Sequence, residues 1–162
     1  VATLDENIAE VLQGNAAAIE CFMLIRDVLH FWDDLIDKDH TVSDAYIHGS
    51  MFKALVALPT NDFYRRFQDM LQPVLVNAIA NWHAANAFEA GEDERLLQIA
   101  FVVRSDYANI LIQMAYIIGG YDWVTAVTPV IRRMWTTEDF TAYKANLERE
   151  KAARTTGDQH VL

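Results

Sequence analysis

The stretch EDERLLQIAFVVRSDYANILIQMAYIIGG, from Glu92 to Gly120, decides the fold. Its apolar residues recur at three and four, acids fill the first turn where a helix dipole favours them, and Gly119-Gly120 supplies a C-terminal stop. The pattern predicts one long helix from Glu92 to Ile118, apolar nearly all the way round in its middle and therefore buried against other helices. With only three prolines and six glycines in 162 residues, and no alternating run that reads as a strand, the rest of the chain follows the same period. The expectation is an all-α, single-domain bundle of about seven helices, with residues 155–162 a frayed polar tail.

Capping residues place the other helices. In TLDENIAEVLQGN, Thr3 reads as an N-cap and Gly14 as the stop, after which Asn15 caps a helix over about Ala16–Lys38. DHTVSD then forms a turn, and Ser43 caps a helix ending near Leu58, with Gly49 weakening its middle. Thr60 or Asn61 opens the next helix. Pro73 either ends it or begins the following one, which covers roughly residues 74–90 before Gly91 breaks the chain. Thr128-Pro129 reads as a cap and first helical position, giving a short helix through Trp135, and Thr136 or Thr137 starts a last helix toward Arg154.

A formal net charge of −10 opposes a broad phosphate-backbone interface, because nucleic-acid binders concentrate Lys and Arg, so nucleic acid and anionic membrane are poor partners for this chain. Cys21 is the only cysteine, which excludes an intrachain disulfide and fits a reducing, cytoplasmic location. The longest apolar runs, such as ILIQMAYII, fall short of the roughly 20 residues of a membrane span, and the amino terminus has no signal-peptide pattern. The chain starts at Val1, which leaves a removed leader open.

The chemistry concentrates in HFWDDLIDKDH, His30–His40. On a helix, Asp33 and Asp37 lie on adjacent turns of one face, with Asp34 offset toward Asp27. Two or three carboxylates so placed can hold Mg²⁺ through one or two direct contacts, leaving the rest of its octahedron to waters and phosphate oxygens. The same projection supports a plainer reading. Glu20, Arg26, Asp27, His30 and the three aspartates form one polar arc opposite Cys21, Leu24, Ile25, Val28, Trp32, Leu35 and Ile36, as an amphipathic helix needs simply to meet water.

A second polar feature interrupts the buried helix. Ser105, Asn109 and Gln113 recur at four-residue spacing with Asp106 and Tyr116 beside them, and buried polar groups need partners: another polar helix, a water-filled cleft or a ligand. Asn77 and Asn81, one turn apart, are a second-rank amide stripe better suited to interhelical hydrogen bonds. His30 and His83 lack a second histidine at ligand spacing, which argues against zinc.

DDLID, Asp33–Asp37, resembles the DDxxD aspartate-rich motif of the class I isoprenoid synthases, the terpene cyclases and prenyltransferases. The resemblance implies an all-α fold in which Asp33 and Asp37 are inward Mg²⁺ ligands, supported by Asp34, that bind the diphosphate of a prenyl substrate. Ser105, Asn109 and Gln113 match the spacing of that family's second metal motif, with Ser, Asn and Gln standing where the family carries Asn or Asp, then Ser or Thr, then Glu. A Mg²⁺-dependent, diphosphate-handling protein is thus one reading, with Arg65 and Arg104 as phosphate contacts. A non-catalytic helical interaction or assembly protein is the other, using exposed aromatics near Trp123 and Trp135 to meet a partner helix or a second copy. A helical nucleotide pyrophosphohydrolase is a third; the absence of an EExxE string counts against it.

Overall fold

The computed structural model describes residues 3–37, 41–135 and 138–157. Helix α1 (Leu4–Val11) begins in a reciprocal cap: the Thr3 hydroxyl accepts from the Glu6 N–H at 3.2 Å, and the Glu6 carboxylate accepts from the Thr3 N–H at 2.7 Å. It ends where Gln13 and Gly14 both adopt positive φ, +51° and +68°. The Asn15 side chain accepts from the Ala18 N–H at 3.1 Å and starts α2 (Ala16–Asp37). Ser43 caps α3 (Asp44–Phe52), which continues through a π-helical turn (Lys53–Ala57) into the single turn α4 (Leu58–Thr60).

Asn61 caps α5 (Asp62–Glu89), accepting from the Tyr64 N–H at 3.0 Å. This side chain is 5% exposed, and its amide also donates to the Ala17 carbonyl and the Glu20 carboxylate, fastening the start of α5 to the start of α2. Asp93 caps α6 (Glu94–Val103), α7 spans Tyr107–Met134, and α8 spans Phe140–Gly157, with the Asp139 carboxylate accepting from the Ala142 N–H. Among the described residues there is no strand, and the all-α bundle is as expected. Its core joins Ile8 and Leu12 of α1, Phe22 of α2, Leu71 of α5, and Ile110, Leu111 and Met114 of α7, all essentially inaccessible. Helix α5 packs most extensively against α6 and α7, which makes it the spine of the bundle.

Four expectations need correction. The helix predicted over Glu92–Ile118 is two helices, broken at Arg104–Asp106. No glycine or proline marks this break; it is held by side-chain bonds from Asp106. Pro73 does not divide α5, whose departure from helical geometry falls instead at Phe67 (φ −122°, ψ 16°), six residues earlier. Gly119-Gly120 does not end the helix outright: α7 kinks at Gly120 (φ 73°, ψ −165°) and runs on to Met134. Thr128 is not an N-cap, because its hydroxyl donates back to the Val124 carbonyl at 2.7 Å inside α7, one turn before. Helical backbone reaches Gly157, into the segment predicted to fray, while Thr136, Thr137 and residues 158–162 lie outside the described residues.

The stretch Glu94–Met134 is long and apolar enough to cross a membrane by length and composition, a test that core helices of soluble proteins also meet. That qualifies the expectation drawn from its shorter apolar runs. The break at Arg104–Asp106 and the kink at Gly120 both fall within it.

The kink has a packing purpose. It sends Trp123 toward α1, where the indole N–H donates to the Val11 carbonyl at 2.9 Å. A Cβ on Gly119 would sit 2.4 Å from the Trp123 ring, and Gly120 occupies a region of backbone space essentially closed to other residues. Gly120→Ala should therefore cost about 1–3 kcal/mol in urea denaturation, and Gly119→Ala should also destabilise by displacing the indole. Gly49→Ala, in open space on α3, should instead stabilise by about 0.5–1 kcal/mol.

Candidate functional site

Consecutive residues of a helix point about 100° apart, so two neighbours on one helix can reach two different partners. Asn81 and Trp82 on α5 do this. The Trp82 indole N–H donates to Asp33 Oδ1 on α2 at 3.0 Å, while the Asn81 amide donates to Asp106 Oδ2, in the turn between α6 and α7, at 2.5 Å. The acidic segment of α2 and the polar segment before α7 therefore meet on the same turn of α5.

Asp106 is the buried member, 6% exposed. Its second oxygen accepts from the Asn109 amide at 2.6 Å, and the Asn109 carbonyl oxygen accepts from the Arg132 guanidinium at 2.5 Å. Burial raises the Asp106 pKa above its ordinary value, opposed by the Asn81 hydrogen bond and the Arg132 charge. This network, rather than helix propensity, holds the chain in the turn that splits the predicted long helix. It leaves the predicted stripe divided. Asn109 joins the network, Gln113 follows one turn along α7, and Ser105 lines a recess with Phe101, Ala108, Trp135 and Arg132, the last also bonded to Asn109.

Beside Asp106 lies a cavity of about 30 Å³, lined also by Leu29, Trp32, Ala78, Trp82, Arg104 and Tyr107. Trp32 and Trp82 pack with ring centroids 5.1 Å apart, and His30 stacks on Tyr107 at 5.4 Å. The Tyr107 hydroxyl is pushed up to about 12, chiefly by burial and next by the charge of Asp33, with Arg104 and Arg26 acting against it and Asp34 adding to it. One phenol thus lies within electrostatic reach of both aspartates and both arginines.

The aspartates differ in their surroundings. Asp33 and Asp34 are half-buried, and Asp34 Oδ2 accepts from the Tyr46 hydroxyl of α3 at 3.1 Å. Asp27 pairs with Lys53 at 2.5 Å. The Asp37 side chain lies outside the described residues. Among the described residues no three His, Cys, Asp or Glu side chains gather as a metal-holding group. Mg²⁺ needs only one or two carboxylates when phosphate and water complete its shell; of the three aspartates, Asp33 faces Trp82 of α5 and Asp34 faces Tyr46 of α3.

Of the two predicted phosphate contacts, Arg104 is at the site and Arg65 is not. Arg65 is exposed on the first turn of α5, whereas Arg104 lines the cavity, pairs with Glu89 at 3.6 Å and lies 5.2 Å over the Tyr143 ring. Beyond Arg104 opens a groove of about 660 Å³ between the ends of α2 and α5 and helix α8. There the Tyr143 hydroxyl donates to Glu89, and its own pKa is raised by burial and by that bond. Of the exposed aromatics expected near Trp123 and Trp135, Tyr121 is one, at 73% exposure, while the two tryptophans themselves are partly buried. Trp123 is bonded to Val11, and Trp135 packs edge-on against Phe22 with centroids 6.1 Å apart.

Trp82, Tyr107 and Tyr46 escaped the sequence reading. The one signal for Trp82 was its place after Asn81 on an otherwise Ala-rich helix, and a tryptophan's N–H usually finds a partner when buried. Comparison with family models, with curated proteins and with solved structures finds no match to the chain.

The network makes a stability prediction. Because the folded-state pKa of Asp106 is raised, its contribution is fully present below the ordinary value of 3.8 and is lost as pH rises through the folded pKa. Wild type should therefore gain stability relative to Asp106→Asn as pH falls from neutral toward that value, measured by urea titration at each pH. Asp106→Ala should cost about 1–3 kcal/mol at neutral pH, since the Asn81 and Asn109 amides lose their acceptor.

Proposed function

We propose that the protein binds a diphosphate-bearing small molecule with Mg²⁺, Asp33 and Asp37 holding the metal with Asp34 in support, and Arg104 meeting the phosphates. The observation that carries this reading is that Trp82, bonded to the Asp33 carboxylate, lines an aromatic cavity together with Arg104 and Tyr107, and that Arg104 also lines a larger groove. A divalent ion neutralises the repulsion between aspartates and phosphate in a chain of net charge −10. The guanidinium adds a planar, two-pronged donor to phosphate oxygens. The part of Asp37 rests on its place in DDLID, where the resemblance makes it an inward ligand with Asp33.

When bound, Mg²⁺ would supply Lewis-acid stabilisation of charge on a phosphate oxygen. This chain's own residues do the rest. Trp82 orients the Asp33 carboxylate, Tyr46 orients Asp34, and the Trp32, Trp82 and Tyr107 rings limit water at the site. Tyr107 keeps its proton across the neutral range, which leaves it a hydrogen-bond donor to an anionic ligand.

A second reading, a non-catalytic helical interaction protein, is favoured by one observation. Met51, Phe52, Leu55 and Val56, at the spacing of a helix face, are 44%, 60%, 67% and 43% exposed. Sedimentation over a concentration series tests it: self-association that Phe52→Ser with Leu55→Ser removes would support it, and a monomer at all concentrations would count against a second copy as the partner.

For the diphosphate reading, Mg²⁺ and pyrophosphate together at about a hundredfold over Kd should stabilise by roughly 2.7 kcal/mol, a rise of about 5–10 °C in melting temperature. Asp33→Asn with Asp37→Asn should abolish the rise, and Arg104→Lys should reduce it. A wild-type melting curve indifferent to Mg²⁺ and Mn²⁺, with and without pyrophosphate, would sink the proposal.

A further inference from the structure

The cavity beside Asp33 and the groove beyond Arg104 share that arginine but differ greatly in capacity. The cavity holds about 30 Å³ and the groove about 660 Å³. A water molecule's share of the liquid is about 30 Å³, so the cavity takes a water or two and no hydrocarbon chain. Pockets for small organic ligands run from about 300 to 1,000 Å³, and the groove falls in that range.

The groove is also polar. Asn86 and Glu89 of α5 line one side; Glu138 before α8, with Asn146 and Glu150 on it, line the other. Glu138 is held by the Asn146 amide, and Lys151 donates from the groove's rim to the Gly91 carbonyl at 3.1 Å. Ile36, one helical turn beyond Asp33, forms part of the wall, so the groove reaches the aspartate end of α2. A ligand with its diphosphate between Asp33 and Arg104 would extend its remaining part into this space.

We infer that the ligand is a nucleoside diphosphate, its sugar and base in the groove between α5 and α8. The inference rests on the diphosphate reading above and adds the class of the organic group. Carboxylates recognise a ribose diol by accepting its hydroxyl protons, the role open to Glu138 and Glu150. A side-chain amide both donates and accepts, and so matches the mixed edge of a base, the role of Asn86, while Asn146 is engaged at both ends by Glu138 and Arg149. An isoprenoid tail offers none of these groups a partner, and seating it there would desolvate carboxylates without compensation.

Calorimetric titration separates the two claims. With Mg²⁺ present, the protein is titrated in parallel with inorganic pyrophosphate, with ADP, GDP, CDP and UDP, and with geranyl diphosphate. At least one nucleoside diphosphate should bind about tenfold or more tightly than pyrophosphate, the worth of one or two good hydrogen bonds. Glu138→Gln with Glu150→Gln, which keeps an acceptor for Asn146, should cut that advantage below about threefold. Pyrophosphate binding as tightly as all four nucleotides, or geranyl diphosphate binding more tightly than any of them, overturns the inference and leaves the diphosphate reading standing. Failure of every ligand, pyrophosphate included, overturns both.

Discussion

A hydrogen-bonded buried carboxylate, Asp106, is the constraint on which the site depends. A carboxylate removed from water must be met by donors, and here the donors come from different elements: Asn81 from the middle of α5 and Asn109 from the first turn of α7. Satisfying it fixes where α6 ends and how α7 leaves the turn. It also fixes the rotation of α5, because Asn81 cannot face Asp106 without Trp82 facing α2. The indole then has Asp33 as its acceptor. A single buried charge thereby sets the relation of three helices and brings the acidic motif into line with Arg104 and Tyr107.

Such an arrangement is costly in stability, and its cost is legible in the pKa directions. Burial raises Asp106 and Tyr107 alike, with Arg132 and Arg104 offsetting part of the effect. A bundle of this length could replace these groups with Leu and Met and lose nothing in packing. Cys21 makes the contrast: it is equally enclosed, its thiol is pushed up to about 12 by burial, and it does no more than fill the core.

Much of the architecture was legible in local chemistry. Thr3, Asn15, Ser43 and Asn61 each cap the helix that their residue type and position announce, and Gly14 marks a stop because its positive φ is what that helix end needs. The misreadings share one physical origin, the dominance of distant contacts over local preference. Arg104–Asp106 looks like helix interior, and only its partners on α5 make it a turn. Pro73 and Pro129 look like boundaries, yet packing carries α5 and α7 past them. Part of the arrangement was visible as polar spacing: Asp34 faces α3, whereas Asp106 with Asn109 and, through Trp82, Asp33 meet at α5. Ser105 does not, because its place in the four-residue pattern assumed an unbroken helix. Trp82 and Tyr107 could not be chosen from periodicity, since apolar bulk looks the same whether it faces core or cavity.

The coupling of Trp82 to the proposed metal site can be read from one resonance. In a proton–nitrogen correlation spectrum, the four tryptophans report through their indole N–H groups, with Trp82 bonded to Asp33 and Trp123 to the Val11 carbonyl. Adding Mg²⁺ with pyrophosphate should shift the Trp82 indole signal, because a cation on the carboxylate weakens the bond it accepts, and should leave the Trp123 signal in place. A Trp82 resonance that stays fixed while the ligand demonstrably binds would contradict the account, since the metal would then be held somewhere other than the aspartates on which the site is built.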